Sequence, residues 1–98
     1  MRINFTFRNL DSSERIKTYA SDKITKFQKY LRAPLDAEVV VSVERHIHAI
    51  DVTINADGQR YAAREESEDM YASIDLCLDK IDRQIRSKKA AAVDRKRH

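Results

Sequence analysis

The chain has 98 residues, 42% of them hydrophobic and 36% charged, with a formal net charge of +3. That is one domain with one modest core, above the size at which metals or disulfides become necessary. One Gly and one Pro argue against a loop-rich fold or a flexible linker.

Residues Arg2 to Phe7 alternate, with Ile3, Phe5 and Phe7 on one side and Arg2, Asn4 and Thr6 on the other. The period of two predicts a half-buried strand. Asn9 and Leu10 turn the chain, and Asp11 with Glu14 three residues on fits a capping box. In the helix that follows, Ile16, Tyr19, Ala20, Ile24, Phe27 and Leu31 form the apolar stripe. Lys23, Lys26 and Lys29 recur every three residues and sweep outward along one flank. Taken alone, a lysine row is usually a solvated face. Ala33-Pro34 ends the helix, because the residue before proline avoids the helical region.

Val39, Val41 and Val43 alternate with polar or outward positions as a second strand, and Arg45 to Ala49 reads as a connection. His46 and His48 lie within it and read as surface histidines, since two imidazoles alone do not make a metal site. Ile50, Val52 and Ile54 predict a third strand, and Asp57-Gly58 is a strong hairpin signal. A fourth strand spans about Arg60 to Glu65, with Tyr61 and Ala63 facing the core. Ser67 can cap a second helix, with Glu68 and Asp69 in its first turn.

The second helix organises the chain. From Glu68 to Lys89, Met70, Ile74, Cys77, Leu78, Ile81 and Ile85 form one stripe at helical spacing. Asp75, Asp79 and Asp82 cluster along one edge of it, and Lys80 and Arg83 along the other. Beyond Ile85 the apolar face is gone, so the helix should project and fray, with Asp94 to His98 mobile. From Lys80 onward eight cationic side chains stand against only Asp82 and Asp94, leaving the preceding residues net acidic. Helix-dipole complementarity explains Lys88 and Lys89 but not a basic tail that continues to the end.

The order βαβββα predicts a two-layer α+β sandwich: a four-stranded mixed sheet, its first two strands parallel, with two parallel helices on one face. The basic flanks can then reach a common region; whether they face each other depends on packing rotations. Cys77 lies on the apolar stripe and reads as a buried structural thiol. A single cysteine suits a reducing compartment. MRINFTF is too short and alternating for a signal peptide, and no apolar run approaches the roughly 20 residues needed to span a bilayer. The expectation is a soluble cytoplasmic protein. No nucleophile–base arrangement or glycine-rich phosphate loop argues for an enzyme, a cofactor or a small-molecule substrate. The three aspartates read as solvated ion pairs, and Tyr19 and Tyr30 as core edge.

These residues resemble the ribosome hibernation-promoting factor family, also called ribosome-associated inhibitor A or ribosomal subunit interface protein. Asp69-Met70-Tyr71-Ala72-Ser73-Ile74-Asp75 resembles the family's DMYxAID signature, and Asp79 to Ile85 its DKLxRQL continuation. Lys23 to Tyr30 and Asp51 to Ile54 are similar to its first helix and third strand. The resemblance implies a fold shaped like double-stranded RNA-binding domains. It also implies binding to the small ribosomal subunit and its RNA in the decoding channel, over the mRNA path and the A and P tRNA sites. Translation is then shut off under stress or in stationary phase. Residues 1–89 would be the ribosome-binding domain and 90–98 a mobile basic tail. Carried over, the RNA-binding candidates are Lys23, Lys26, Lys29, Lys80, Arg83, Arg86, Lys88 and Lys89. Long family members add a dimerisation domain; a chain ending at His98 resembles the short form or a piece of a long one. The alternative is a general double-stranded RNA-binding module with another target.

Overall fold

A computed structural model describes the backbone of residues 1–97 and the side chains of residues 1–88. Strand β1 (Arg2–Arg8) leads into helix α1 (Glu14–Lys26), a 3-10 turn (Phe27–Tyr30), then β2 (Asp36–Glu44), β3 (Ile47–Ala56), β4 (Gln59–Ser67) and helix α2 (Met70–Arg97). The sheet order is β1-β2-β3-β4, parallel between β1 and β2 and antiparallel elsewhere. This is the expected βαβββα sandwich.

The register places Ile3, Ala37, Ile54 and Tyr61 in one row across the sheet and Phe5, Val39, Val52 and Ala63 in the next. These rows face the helices. Ile16, Ala20 and Ile24 of α1 and Ile74, Cys77, Ile81 and Ile85 of α2 close over them. The core is therefore almost wholly aliphatic, as a chain with no Trp and three Phe requires. Ser73 is the buried polar side chain among the described residues. It is satisfied: its Oγ donates to the His48 carbonyl at 2.7 Å and lies 2.6 Å from Ser67 Oγ.

Several local expectations are corrected. Ser13, not Asp11, caps α1: its backbone is extended and its Oγ accepts from Ile16 N at 3.2 Å. The helix tightens at Phe27 and ends at Tyr30, before Ala33-Pro34. There the Gln28 side chain donates to Ala33 O and accepts from Leu35 N, both at 2.9 Å, turning the chain back toward β2. The expected Arg45–Ala49 connection shrinks to Arg45-His46, because Ile47 and His48 pair with Glu44 and Val43. Arg45 takes the left-handed conformation (φ 57°) that such a tight turn needs, without a glycine to announce it. His46 is exposed; His48 is a strand residue, half-buried, and its Nδ1 has no hydrogen-bond partner among the described residues. β4 runs on to Ser67, so Asp69 starts α2 in place of Ser67, its carboxylate accepting from Tyr71 N at 3.4 Å.

Asp57-Gly58 forms the expected tight hairpin, both residues at positive φ (54° and 72°). Asp57 has a second role that the turn signal hides. Its carboxylate accepts from the backbone N–H of Arg32 (2.9 Å) and Ala33 (2.8 Å), tying the β3–β4 turn to the α1–β2 connection.

Gln84 caps the open edge of β4 at Ala62. Its side-chain amide donates to Ala62 O at 2.8 Å and accepts from Ala62 N at 3.2 Å, the pair of bonds a neighbouring strand would make. α2 is thereby fixed in register against the sheet. The last buried side chain of α2 among the described residues is Ile85, whereas the helix continues to Arg97. The expected mobility of Asp94 to His98 lies outside the described residues.

Candidate RNA-binding interface

The two faces of the sandwich differ in charge. On the open face of the sheet, Arg2, Arg8, Arg60 and Arg64 are outnumbered by Asp36, Glu38, Glu44, Asp51 and Glu66. Several are locally neutralised: Arg64 bridges Asp51 and Glu66, and Arg2 lies 3.8 Å from Asp36. The carboxylates around Arg64 hold its guanidinium pKa above the ordinary value, Asp51 first among them. The helical layer carries the candidate cations. Their side chains are 40% exposed at Lys23, 53% at Lys80, 69% at Arg83 and 56% at Arg86, so none is lost to the core. Lys26, Lys29 and Lys88 are exposed as well. Lys89 lies outside the described side chains.

The two basic flanks do not face each other. α2 is rotated so that its acidic flank meets the lysines of α1. Lys23 Nζ lies 3.3 Å from Asp75 Oδ1, which also accepts from Tyr19 Oη at 2.7 Å. That bond, then desolvation, raises the Tyr19 pKa. The Tyr19 and Tyr71 rings meet edge to face at 5.0 Å, and Lys23 stands 5.2 Å over the Tyr19 ring. These contacts lock the helices together at one end. Toward the other end a groove of about 320 Å³ opens, with Lys26 and Lys29 on one wall, Asp79 and Asp82 on the other, and Phe27, Leu78 and Tyr30 supplying apolar surface.

Lys80 lies on the far flank of α2, paired with Glu65 of β4. Arg83 and Arg86 fold back along the helix to Asp79 and Asp82, the latter at 2.8 Å. Four candidates, Lys23, Lys80, Arg83 and Arg86, thus have carboxylate partners, while Lys26, Lys29 and Lys88 have none among the described residues. The Lys23–Asp75 and Arg83–Asp79 pairs are exposed on both sides, and such pairs contribute about 0–1 kcal/mol each. The cations form a broad array across the helical layer rather than one narrow flank.

Sequence reasoning missed the carboxylate wall of the groove, Glu65 as partner of Lys80, and Tyr30 as a groove residue. Only the helical spacing of the aspartates could have signalled the first. Cys77, by contrast, is as expected: fully buried, with its pKa pushed up to about 12, chiefly by desolvation. It is an inert core thiol. Among the described residues, no group of three or more His, Cys, Asp or Glu is placed to hold a metal ion. Among the described residues, no helix is long and apolar enough to cross a membrane.

Fold and surface together define a class: a two-layer βαβββα domain whose helical layer presents an array of cations above a sheet of opposite charge balance. The chain belongs to the family described as Sigma 54 modulation protein / S30EA ribosomal protein, whose model matches residues 3–92. Among its relatives, the ribosome hibernation promoting factor of Azotobacter vinelandii is 32% identical over 95 residues, covering 97% of this chain and 89% of that protein. The protein of the same name from Escherichia coli K12 is 33% identical over 85 residues, covering 87% and 90%. Two solved structures share the fold, each with a TM-score of 0.78. They are the N-terminal domain of Thermus thermophilus Protein Y (24% identity, covering 88% of this chain and 93% of that one) and a ribosomal subunit interface protein from Coxiella burnetii (21%, covering 92% and 99%).

Proposed function

We propose that this protein is a ribosome hibernation factor of the cytoplasm. It binds the small ribosomal subunit through its helical layer, in the decoding channel, and keeps the ribosome out of translation. Residues 1–89 act as the binding domain. The observation that carries this reading is the division of charge between the layers: exposed cations on the helices, acid surplus on the open sheet. The names of the relatives support it.

Ribosomal RNA is a dense structured polyanion. Lys and Arg held on rigid helices contact its phosphates and release condensed counterions, so affinity is strongly salt-dependent. Recognition is chiefly of RNA shape. Inhibition follows from occupied space: where the domain sits, mRNA and tRNA cannot. It needs no bond-making step and no cofactor.

The test is competition on isolated small subunits. Prebound protein should block mRNA-dependent tRNA binding, and excess mRNA with tRNA should displace the protein. Simultaneous occupancy would refute the decoding-channel placement. Equal affinity for free duplex RNA and for subunits at matched salt would favour a general RNA-binding module instead.

A further inference from the structure

The groove between α1 and α2 is poorly suited to a phosphate track. A chain of phosphates running along it would pass Asp79 and Asp82 as closely as Lys26 and Lys29, gaining attraction on one wall and repulsion on the other. Its chemistry suits something that is anionic on one side, planar in the middle and rich in hydrogen-bond donors on the other. We propose that this groove seats one unpaired nucleotide of the bound RNA, its phosphate against the α1 lysines and the Watson–Crick donors of its base against the carboxylates of α2. The inference deepens the RNA-binding reading and rests on it.

Three features support it. The groove, at about 320 Å³, is at the small end of ligand sites, which run from about 300 to 1,000 Å³. Tyr30 offers a half-buried ring whose hydroxyl makes no hydrogen bond among the described residues, with Lys29 Nζ 5.1 Å from its centroid. A ring with a cation beside it is a stacking platform for bases. Tyr19 is not equivalent, because its ring already meets Tyr71 and its hydroxyl already donates to Asp75. Finally, a carboxylate only accepts hydrogen bonds, and its pairing with Arg83 or Arg86 leaves oxygen lone pairs free. Guanine, with adjacent N1–H and N2–H donors, satisfies such a wall best, and cytosine can offer its N4 amine. Uracil presents a single donor flanked by two carbonyls, which carboxylates repel.

Amide NMR spectra of the full chain, titrated with GMP, CMP, UMP or inorganic phosphate at constant ionic strength, test this. GMP should give saturable shifts confined to residues 26–30 and 75–82, binding at least about fivefold tighter than UMP. CMP should fall between them, and phosphate should perturb only the lysine side without saturating. Exchanging both carboxylates (Asp79→Asn with Asp82→Asn) should erase the preference for GMP. Tyr30→Ala should weaken all nucleotides without changing their order. Indistinguishable nucleotides, shifts elsewhere, or a preference that survives the double variant would overturn the inference. Co-sedimentation of the same samples with small subunits separates the failures. Subunit binding without nucleotide preference sinks the groove alone; loss of subunit binding in the unaltered chain sinks the reading beneath it.

Discussion

Asp75 couples the fold to the interface, and removing its charge should move stability and binding in opposite directions. In Asp75→Asn the side chain keeps its shape and can still accept from Tyr19 Oη, now 2.7 Å away, but it loses the ion pair with Lys23 at 3.3 Å. Both partners are roughly half exposed, 40% and 50%, so the pair is screened and contributes no more than about 1 kcal/mol. That amount should disappear from folding stability, read as a lower urea midpoint at unchanged m-value. The same coupling no longer competes with phosphate. Lys23 becomes available, one negative charge leaves the helical layer, and affinity for small subunits should rise by at most about fivefold at low salt. The logarithmic salt dependence should steepen by no more than about 0.9, one phosphate contact. Weaker binding by a normally folded Asp75→Asn protein would refute this, because the carboxylate would then be a ligand contact rather than a restraint on Lys23.

Gln84→Ala removes two hydrogen bonds to Ala62 and should cost about 1–2 kcal/mol in urea titrations. The variant should also aggregate faster, because the backbone of Ala62 on the edge of β4 is then unpaired. Ile81→Ala, at a fully buried position between α2 and the sheet, should cost about 2–5 kcal/mol by the same titration. The protein should be labile to alkali. Cys77, Tyr19 and Tyr61 all have pKa values raised by the fold, so the unfolded chain ionises first. For Cys77 the contribution is complete below about 9 and is lost as pH climbs toward about 12, so the urea midpoint should fall steadily across that interval. Cys77 should accordingly resist thiol reagents in the native state at neutral pH.

The architecture was legible because each element has one buried face with a clean period. Ile3, Phe5 and Phe7 alternate, Ile74, Cys77, Leu78 and Ile81 recur at helical spacing, and Asp57-Gly58 marks its own turn. What escaped were local choices between similar residues and features decided by partners distant in sequence. The cap at Ser13 and the turn at Arg45 are local, but neighbouring residues offer equally plausible chemistry, and nothing in an arginine announces a positive φ. The rotation of α2 about its axis is harder still. A helical wheel shows that acids and bases lie on opposite edges of the stripe; it does not say which edge meets α1. Here the Tyr19–Asp75 and Lys80–Glu65 contacts, 56 and 15 positions apart, accompany that choice. The candidate cations could therefore be named from the sequence, while the acid-walled groove beside them could not.

The most direct measurement compares two charge reversals of equal size on opposite layers. One carries Lys26→Glu, Lys29→Glu and Arg83→Glu on the helices; the other carries Arg2→Glu, Arg8→Glu and Arg60→Glu on the open sheet face. With both confirmed folded by circular dichroism, the helical variant should no longer co-sediment with small ribosomal subunits, and the sheet variant should bind close to normally. The opposite pattern, or equal loss from both, would contradict binding through the helical layer.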